Sequence, residues 1–250
     1  MKHTLLLLLA LSLTCAAAPA PNTLTDSEKS AGWRLLWDGK TTAGWRKPKS
    51  DTFPDKAWLI KDGVLTVIGK NGNPGAGSDI ITRDRYSDFE LTLDFKMTPR
   101  ANSGIKIFTQ LDLDPATGKN TGTTKGSVLG LEYQILDDAL HPDAKAGHDG
   151  NRKLAGLYDI LPPNPAKKTN PIGEWNTARI ISRGAHVEHW LNGEKVLEYD
   201  RGSPAFRAGV ARSKFNEIPA FGEWPEGHIL LQDHGDEVSF RNIKIRILKK

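Results

Sequence analysis

The segment Phe89–Met97, FELTLDFKM, alternates apolar and polar residues without interruption. A repeat of two places every second side chain on the same face of an extended strand, so this segment predicts a β-strand with one buried face. The segment Leu129–Leu136, LGLEYQIL, repeats the pattern. Further along, two β-like runs flank Asn192–Gly193, the residue pair that favours a two-residue type I′ turn. They predict a hairpin over residues 186–199.

Shorter β-like runs cover much of the remaining chain. They are residues 58–61, 64–68, 80–82, 105–108, 178–182 and 229–232. No segment shows a sustained helical period, and only the surroundings of Pro204–Ala208 suggest a turn or two of helix. About a dozen short strands separated by turns indicate an all-β sandwich.

The last β-like run changes phase near Arg241–Asn242. An extra residue there would return all of its apolar side chains to one face, so we predict a β-bulge. The apolar side chains concerned are Val238, Phe240, Ile243, Ile245 and Ile247.

The composition places limits on the function. The chain has 250 residues, with 34 Lys and Arg against 30 Asp and Glu, which gives a formal net charge of +4. This length is sufficient for one large domain with a substantial core. The basic excess is spread along the chain, so we predict no nucleic-acid-binding surface.

Residues 1–18 have the composition of an export signal. A basic start, Lys2–His3, precedes the apolar run Leu5–Leu13, and the small residues Ala16–Ala18 follow. The run is shorter than the roughly 20 apolar residues of a transmembrane helix, so we expect no membrane span. The predicted location is the periplasm or the extracellular space.

The only cysteine, Cys15, lies within this signal and offers an alternative as a lipoprotein anchor. Cleavage near Ala17 would leave no cysteine, which excludes disulfides, thiolate metal sites and a cysteine nucleophile. Residues 19–31 are expected to form a short tether. Residues 32–250 are expected to form a single β-sandwich domain.

Three predicted connections exceed about 12 residues, a length at which loops in compact domains are usually functional or disordered. They are Leu111–Val128, Asp137–Leu154 and Leu161–Gly173. We expect these loops to wall one face of the sandwich.

Two polar pairs lie on predicted strands. Glu132 with Gln134, and Gln232 with His234, are each two residues apart, so each pair lies on one side of its sheet. One interpretation is a concave sheet face that holds a substrate. The other is a solvated outer face, which antiparallel sheets commonly have, and the pattern alone favours it.

Seven tryptophans are many for this length. Trp combines a large flat apolar surface with an N–H donor, which suits stacking on a sugar ring. Trp45, Trp175 and Trp224 neighbour Gly or Pro loops and are candidates for that contact. We assign three of the other tryptophans to packing: Trp33, Trp37 and Trp190.

Potential metal ligands are concentrated in one predicted loop, at His141, Asp143 and His148. Imidazole and carboxylate ligands suit zinc, manganese or iron, and carboxylates with carbonyls suit calcium. The spacing matches no metal signature, and solvated loop residues are the simpler interpretation. The chain also lacks the sequence signatures of common nucleophile, metalloprotease, phosphate-binding and dinucleotide sites.

Eight segments, in order along the chain, together resemble one family. They are GWRLLWDGKT (32–41), NSGI (102–105), EYQILD (132–137), AGLYD (155–159), GEWN (173–176), VEHWLNG (187–193), LQDHG (231–235) and FRNI (240–243). These motifs resemble the 3-keto-disaccharide hydrolase domain, also described as 3-keto-glucoside 1,2-lyase/3-keto-2-hydroxyglucal hydratase. The resemblance spans residues 32–248.

The resemblance implies a concanavalin A-like jelly-roll β-sandwich with long loops around a concave face. It also implies a carbon–oxygen lyase or hydratase, in net terms a glycoside hydrolase, whose substrate is an oxidised 3-keto-glycoside or disaccharide. The chain departs from the family within Ile105–Gln110, where many relatives place an Arg, and Lys106 or Gln110 would substitute for it. The aglycone, the anomer and the oligomeric state stay open.

The chemistry of such a substrate sets the groups that a site requires. A ketone at C3 acidifies the C2 proton, because the carbanion delocalises onto the carbonyl oxygen as an enolate. A base removes that proton, the C1 aglycone leaves by β-elimination, and addition of water completes a net hydrolysis. This path needs a base, an enolate-stabilising group and an acid, but not the paired carboxylates of an ordinary glycosidase.

His234 is our first choice of base, because imidazole titrates near neutral pH. Glu132 is the second choice, as base or as partner to His234 or a metal ion. Tyr158 would act as the acid or only pack. The expected substrate-binding residues are Asn102, Gln134, Gln232, Trp175 and Lys106. A divalent ion at the carbonyl would suit the chemistry, but the sequence alone establishes no cofactor.

Two other functions are compatible with the sequence. The first is a non-catalytic carbohydrate-binding β-sandwich module, because sandwiches with aromatic rims also bind glycans. The second is a conventional two-carboxylate glycosidase that pairs Glu132 with Asp159 or Glu174, acting on unoxidised substrates.

Overall fold

The computed structural model describes residues 20–69, 78–121 and 127–249. The strands are β1 Arg34–Leu35, β2 Trp45–Arg46, β3 Trp58–Lys61, β4 Val64–Val67, β5 Ile80–Thr82, β6 Phe89–Met97, β7 Asn102–Asp114, β8 Lys119–Asn120, β9 Ser127–Leu136, β10 Trp175–Arg183, β11 His186–Leu191, β12 Glu194–Asp200, β13 His228–Leu231 and β14 Val238–Ile247. The helices are α1 Asp26–Ser30, α2 Pro204–Ala211 and a 3₁₀ helix, Pro142–Lys145.

The strands form two antiparallel sheets. The first has the order β12-β11-β10-β6-β14-β4-β3, with β1 paired to β14. The second has the order β2-β5-β13-β7-β8, with β9 paired to β7. This arrangement confirms the predicted all-β sandwich of the concanavalin A-like jelly-roll class.

The period-two alternation determines the core between the sheets. The apolar side chains of β6 from Phe89 to Phe95 are at most 1% exposed. From the other sheet, Tyr133 of β9 is fully buried, and its hydroxyl donates a hydrogen bond to the Trp190 carbonyl at 3.1 Å. Burial of each large apolar side chain contributes about 1.5–3 kcal/mol, so these facing rows hold the sheets together.

The predicted hairpin and its turn are confirmed. β11 and β12 are joined by Asn192 and Gly193, with φ of 50° and 83°. Positive φ at both central positions is the requirement of a type I′ turn, which Asn and Gly meet at low cost.

The β-bulge in β14 is also confirmed. The register with β6 shifts between Arg241 and Lys244, and Asn242 has φ of 54°. The bulge returns four of the five expected side chains to the core. They are Val238, Phe240, Ile243 and Ile245. Ile247, at the end of the strand, is instead 55% exposed.

Residues 22–30, expected to belong to a tether, are part of the folded domain. α1 begins with a capping box. Asn22 exchanges two hydrogen bonds with Asn242, at 2.6 and 2.8 Å, and Glu28 pairs with Lys244 at 2.7 Å. The tether prediction is wrong here because these polar side chains cap a helix and bind the last strand. The predicted export signal lies outside the described residues.

The connections differ in part from expectation. Leu111–Val128 was expected to be a loop, but within its described residues β7 continues to Asp114 and pairs with β8. The suggested turn of helix after Ser203 is the eight-residue α2, whose N-terminus Ser203 caps by accepting from Phe206 N–H at 3.2 Å. None of the described helices has the length and apolar character needed to span a membrane.

Candidate active site

A cavity of about 100 Å³ opens on the face of the second sheet that lies away from the core. It is lined by Asn102 and Lys106 of β7, by Leu129, Gly130, Glu132 and Gln134 of β9, by Gln232 and His234 after β13, and by Tyr158, Lys214 and Phe215 of connecting segments. The two polar pairs predicted from strand periodicity therefore meet in one cavity. This face is not a uniformly solvated surface.

Strand register explains the convergence. Gly104 pairs with Gln134 and Lys106 pairs with Glu132 across β7 and β9. Directly opposite residues project to the same face, so the lysine and the carboxylate meet without any loop. Gln232 N–H donates to the Gly104 carbonyl at 2.9 Å, which places the segment after β13 beside β7.

Glu132 lies across the floor of the cavity. Its Oε2 is 3.6 Å from Lys106 Nζ, and its side chain is 8% exposed. A Cβ at position 104 would overlap the Glu132 carboxylate, so Gly104 provides the space in which this side chain lies. The arrangement fixes a carboxylate beside an ammonium group.

The amides of the cavity complete a polar floor. The Gln134 nitrogen donates to the Ser103 carbonyl at 3.0 Å and to Glu132 Oε1 at 3.1 Å, the orientation that gives both amide atoms suitable partners. Gln232 Oε1 is buried and has no hydrogen-bond partner within the described residues. Such an orphan acceptor suits a hydroxyl donor on a ligand, since an unpaired buried polar atom is costly.

His234 lies at the rim, on a segment held by two carboxylates. Asp79 Oδ1 accepts from the Asp233 N–H at 2.9 Å. The Asp233 carboxylate accepts in turn from the N–H groups of Ser78 at 3.0 Å and Gly235 at 2.9 Å. Burial raises the pKa of Asp79, and the nearby Lys106 ammonium opposes that shift. These bonds fix the backbone on both sides of the exposed imidazole.

Tyr158 forms part of the wall. Its N–H donates to the Glu132 carbonyl at 3.0 Å. Two cationic groups lie near its ring: the Arg152 guanidinium is 5.5 Å and Lys214 Nζ is 4.5 Å from the ring centroid. Burial, followed by the Asp143 carboxylate, raises the pKa of Tyr158. The phenol is thus a hydrogen-bond donor that stays protonated at neutral pH.

Arg152 forms two ion pairs within the loop that lies behind this wall. Its guanidinium binds Asp143 at 2.8 Å and Asp159 at 2.7 Å. The second oxygen of Asp159 accepts from the Lys214 N–H at 2.8 Å. The network ties the loop that carries Tyr158 to the segment that carries Lys214.

The proposed metal-ligand set does not assemble. Asp143 pairs with Arg152, His141 Nδ1 accepts from the Asp143 N–H at 3.1 Å to cap the 3₁₀ helix, and His148 is exposed. His141 and Asp143 thus have structural partners, and none of the three residues lines the cavity.

A different group of potential metal ligands lies on the hairpin of β11 and β12. Within the described parts of the chain, only His186, Glu188 and Glu198 bring three such atoms within 4.8 Å of one another. Lys195 Nζ lies between the two carboxylates, 2.6 Å from Glu198 and 3.5 Å from Glu188. The group therefore already holds a cation, and it lies on the first sheet.

The tryptophan candidates are not in the cavity. Trp175 lies on the first sheet, where its ring contacts Lys96 and Arg241, whose cationic groups are 5.1 and 4.1 Å from its centroid. Its expected role in substrate binding is therefore not supported by its position. Trp45 is 2% exposed in the core, and Trp224 packs edge-on against Phe221. Neighbouring Gly and Pro residues marked turns rather than a binding surface.

The structure distinguishes among the remaining candidates. Of the two residues expected to replace the family's Arg, Lys106 lines the cavity, whereas the buried Gln110 donates to the Phe108 and Glu226 carbonyls. Asp159 binds Arg152 behind the wall, and Glu174 is exposed outside the cavity. Neither pairs with Glu132, so the two-carboxylate interpretation loses its second carboxylate.

Sequence reasoning missed Lys214 and Phe215. They follow α2 in a segment without strand periodicity, so no pattern in the sequence relates them to β9. The only signal was the helix suggested at Pro204–Ala208, and it does not specify where the chain goes afterwards.

Comparisons with known proteins agree with this architecture. A model of the 3-keto-alpha-glucoside-1,2-lyase-like domain matches residues 32–246. A 3-keto-disaccharide hydrolase from Bacteroides thetaiotaomicron is 38% identical over 230 residues, which cover 87% of this chain and 79% of that protein. Two crystal structures of proteins from Parabacteroides distasonis also match. One is 31% identical with a TM-score of 0.74, covering 92% of this chain and 100% of that one. The other is 28% identical with a TM-score of 0.59, covering 86% and 99%.

Proposed function

Because the chain belongs to the 3-keto-alpha-glucoside-1,2-lyase-like domain family, we propose that it is an exported enzyme that cleaves 3-keto-glycosides. In this proposal a base removes the C2 proton and the C1 aglycone leaves by β-elimination. Addition of water to the unsaturated product then completes a net hydrolysis. Export rests on the signal-like composition of residues 1–18.

The observation that carries the proposal is the set of groups in the cavity. Among its described lining residues, Glu132 is the only carboxylate, and it is accompanied by His234, Lys106 and Lys214. Direct glycoside hydrolysis uses two carboxylates on either side of the scissile bond. One carboxylate, one imidazole and two ammonium groups fit proton abstraction and enolate stabilisation instead.

The position of each group suggests its role. His234, at the open rim, takes the C2 proton, and Glu132 is the second candidate for that step. Lys106 and the amides of Gln134 and Gln232 face the substrate from the sheet. A preorganised ammonium group stabilises a developing enolate oxygen more strongly than water does, because it needs no reorganisation. Asn102 supplies a further hydrogen-bonding amide.

The experiment is to incubate the protein with methyl 3-keto-glucoside in D₂O and follow the products by NMR. We expect deuterium exchange at C2, release of methanol, and an unsaturated keto sugar that hydrates to 3-keto-glucose. His234→Ala and Glu132→Gln should each lower turnover by about 10²–10⁴-fold while the fold is kept. Lys145→Met, at an exposed lysine outside the cavity, is the matched control. A parallel reaction with chelator tests the contribution of a divalent ion.

Two results would contradict the proposal. Unchanged turnover in both variants would remove the residue assignment. Binding of intact, unoxidised glycans without bond cleavage would instead support the carbohydrate-binding alternative, for which the orphan acceptor Gln232 Oε1 is the supporting observation.

A further inference from the structure

Lys214 lies on a backbone segment that is fixed although it belongs to neither sheet. Its N–H donates to Asp159 Oδ2 at 2.8 Å. The flanking Ser213 hydroxyl donates to the Val210 carbonyl at 2.8 Å, and the Phe215 ring stacks on Phe221 with centroids 4.1 Å apart. The lysine therefore projects into the cavity from a defined position.

The ammonium group of Lys214 meets aromatic faces rather than a counter-ion. Nζ is 4.5 Å from the centroid of Tyr158 and 5.2 Å from that of Phe215. None of the carboxylates that the structure describes lies within ion-pair distance of it, whereas Lys106 pairs with Glu132 at 3.6 Å. The two lysines thus differ: one is paired on the floor, and the other faces the cavity from the wall.

The environment also makes Lys214 a better proton donor than an ordinary lysine. Partial burial lowers its pKa, and the positive charges of Lys106 and Arg152 lower it further. The carboxylates of Glu132 and Asp159 oppose the shift. By contrast, burial raises the pKa of Tyr158, the acid that the sequence suggested.

We propose that Lys214 is the general acid that protonates the departing glycosidic oxygen. This role rests on the proposed function. The base takes the C2 proton, the C2–H electron pair forms the C1–C2 double bond, and the C1–O bond breaks with its electrons on oxygen. That oxygen takes a proton from Lys214 Nζ, which is left neutral and is recharged from solvent. The base candidates lie on β9 and on the segment after β13, whereas the acid lies on the segment after α2.

The test compares two leaving groups. Methyl 3-keto-glucoside has a strongly basic leaving oxygen that needs a proton, whereas a 4-nitrophenyl 3-keto-glucoside has a stable phenolate that does not. In Lys214→Met we expect kcat/KM to fall by about 10²–10³-fold on the methyl glycoside and by less than about fivefold on the nitrophenyl glycoside. Lys214→Arg keeps the charge but donates a proton poorly, so it should show the same selectivity.

Two controls make the result specific. Both variants keep the backbone N–H that Asp159 binds, so their urea unfolding midpoints should match wild type closely. Deuterium exchange at C2 of the substrate should persist in both, because the base is intact. Lys145→Met should leave both substrates unaffected.

Each remaining result has one meaning. If kcat/KM of the Lys214 variants fell equally on the two glycosides, or on neither, the role of Lys214 would be overturned. The proposed function would still stand, because the wild-type protein cleaves the substrate. If the Lys214 variants lost both C2 exchange and cleavage, the proposed role would also be overturned, because Lys214 would then act before the leaving group departs. A wild-type protein that neither exchanges nor cleaves would overturn the proposed function itself, and with it this role.

Discussion

Lys106 Nζ lies 3.6 Å from Glu132 Oε2 on the floor of the cavity, and their side chains are 14% and 8% exposed. The two residues are direct partners across β7 and β9, so the sheet register alone brings them together. A largely buried ion pair adds little net stability, because the cost of desolvation offsets the attraction. Removing one partner, however, leaves a charge without compensation.

We therefore predict strong coupling between these two side chains. Lys106→Met should lower the free energy of unfolding by about 3 kcal/mol, because the Glu132 carboxylate then has no counter-ion. The double variant Lys106→Met/Glu132→Gln should recover at least half of that loss. Urea unfolding of the wild type, both single variants and the double variant gives the coupling energy as a double-mutant cycle. Additive effects within about 0.5 kcal/mol would show that the pair is not coupled.

Gly104→Ala should impair activity more than stability. The added methyl group would overlap the Glu132 carboxylate, which must then move, although Gly104 has no unusual backbone conformation. Displacement of a reacting group by about 1 Å can cost about 10²-fold in rate, and we expect a loss of kcat of that order. Gly69→Ala, where the added methyl would make only ordinary contacts at 3.5 Å or more, is the matched control. Equal activities of the two variants would contradict the placement of Glu132.

Strand periodicity predicted which polar side chains share a face of the sheet, although the pattern alone favoured a solvated face over a cavity. Glu132 and Gln134 lie on β9, and Gln232 with His234 continue the line of β13, with β7 between the two strands. The bulge near Asn242 was predictable for the same reason, because a break in phase is visible in the sequence itself.

The part of the wall formed by Lys214 and Phe215 was not predictable, because it depends on long-range contacts between loops. Lys214 reaches the cavity through a hydrogen bond from its backbone to Asp159, 55 residues earlier in the chain. The ion pairs of Arg152 have no periodic signal, so Asp143 resembled a metal ligand although it binds a guanidinium. Composition also misled at residues 22–30, where polar residues suggestive of a linker form a capped helix.

Asp79→Asn should stabilise the protein at neutral pH. Burial raises the pKa of Asp79 above its ordinary value of 3.8. A carboxyl group with a raised folded pKa costs stability as the pH rises from its unfolded pKa through the folded value. The variant keeps an oxygen acceptor for the Asp233 N–H but cannot ionise, so at pH 7 it should be more stable than wild type. Near pH 3 the difference should vanish.

The measurement is the difference between the unfolding free energies of wild type and Asp79→Asn across this pH range. Asp55→Asn, at an exposed carboxylate, serves as the control and should give a flat difference. If the difference in unfolding free energy for Asp79→Asn were also independent of pH, burial would not be destabilising the charged form of Asp79.

His189 should give the opposite dependence on pH. It is 1% exposed between the sheets, with Nδ1 3.0 Å from the Ala155 carbonyl and its ring centroid 4.9 and 5.6 Å from those of Tyr133 and Tyr199. Burial lowers the pKa of His189 from 6.5 to about 4. Below pH 6.5 the unfolded chain therefore takes up a proton that the folded protein excludes, and stability falls until about pH 4, by about 3 kcal/mol in total. His189→Gln retains an amide donor but cannot titrate. The variant should be somewhat less stable than wild type at pH 7. Between pH 7 and pH 4 its free energy of unfolding should fall by about 3 kcal/mol less than that of wild type. Parallel stability curves for the two proteins would show that His189 is protonated as readily in the folded state as in the unfolded chain.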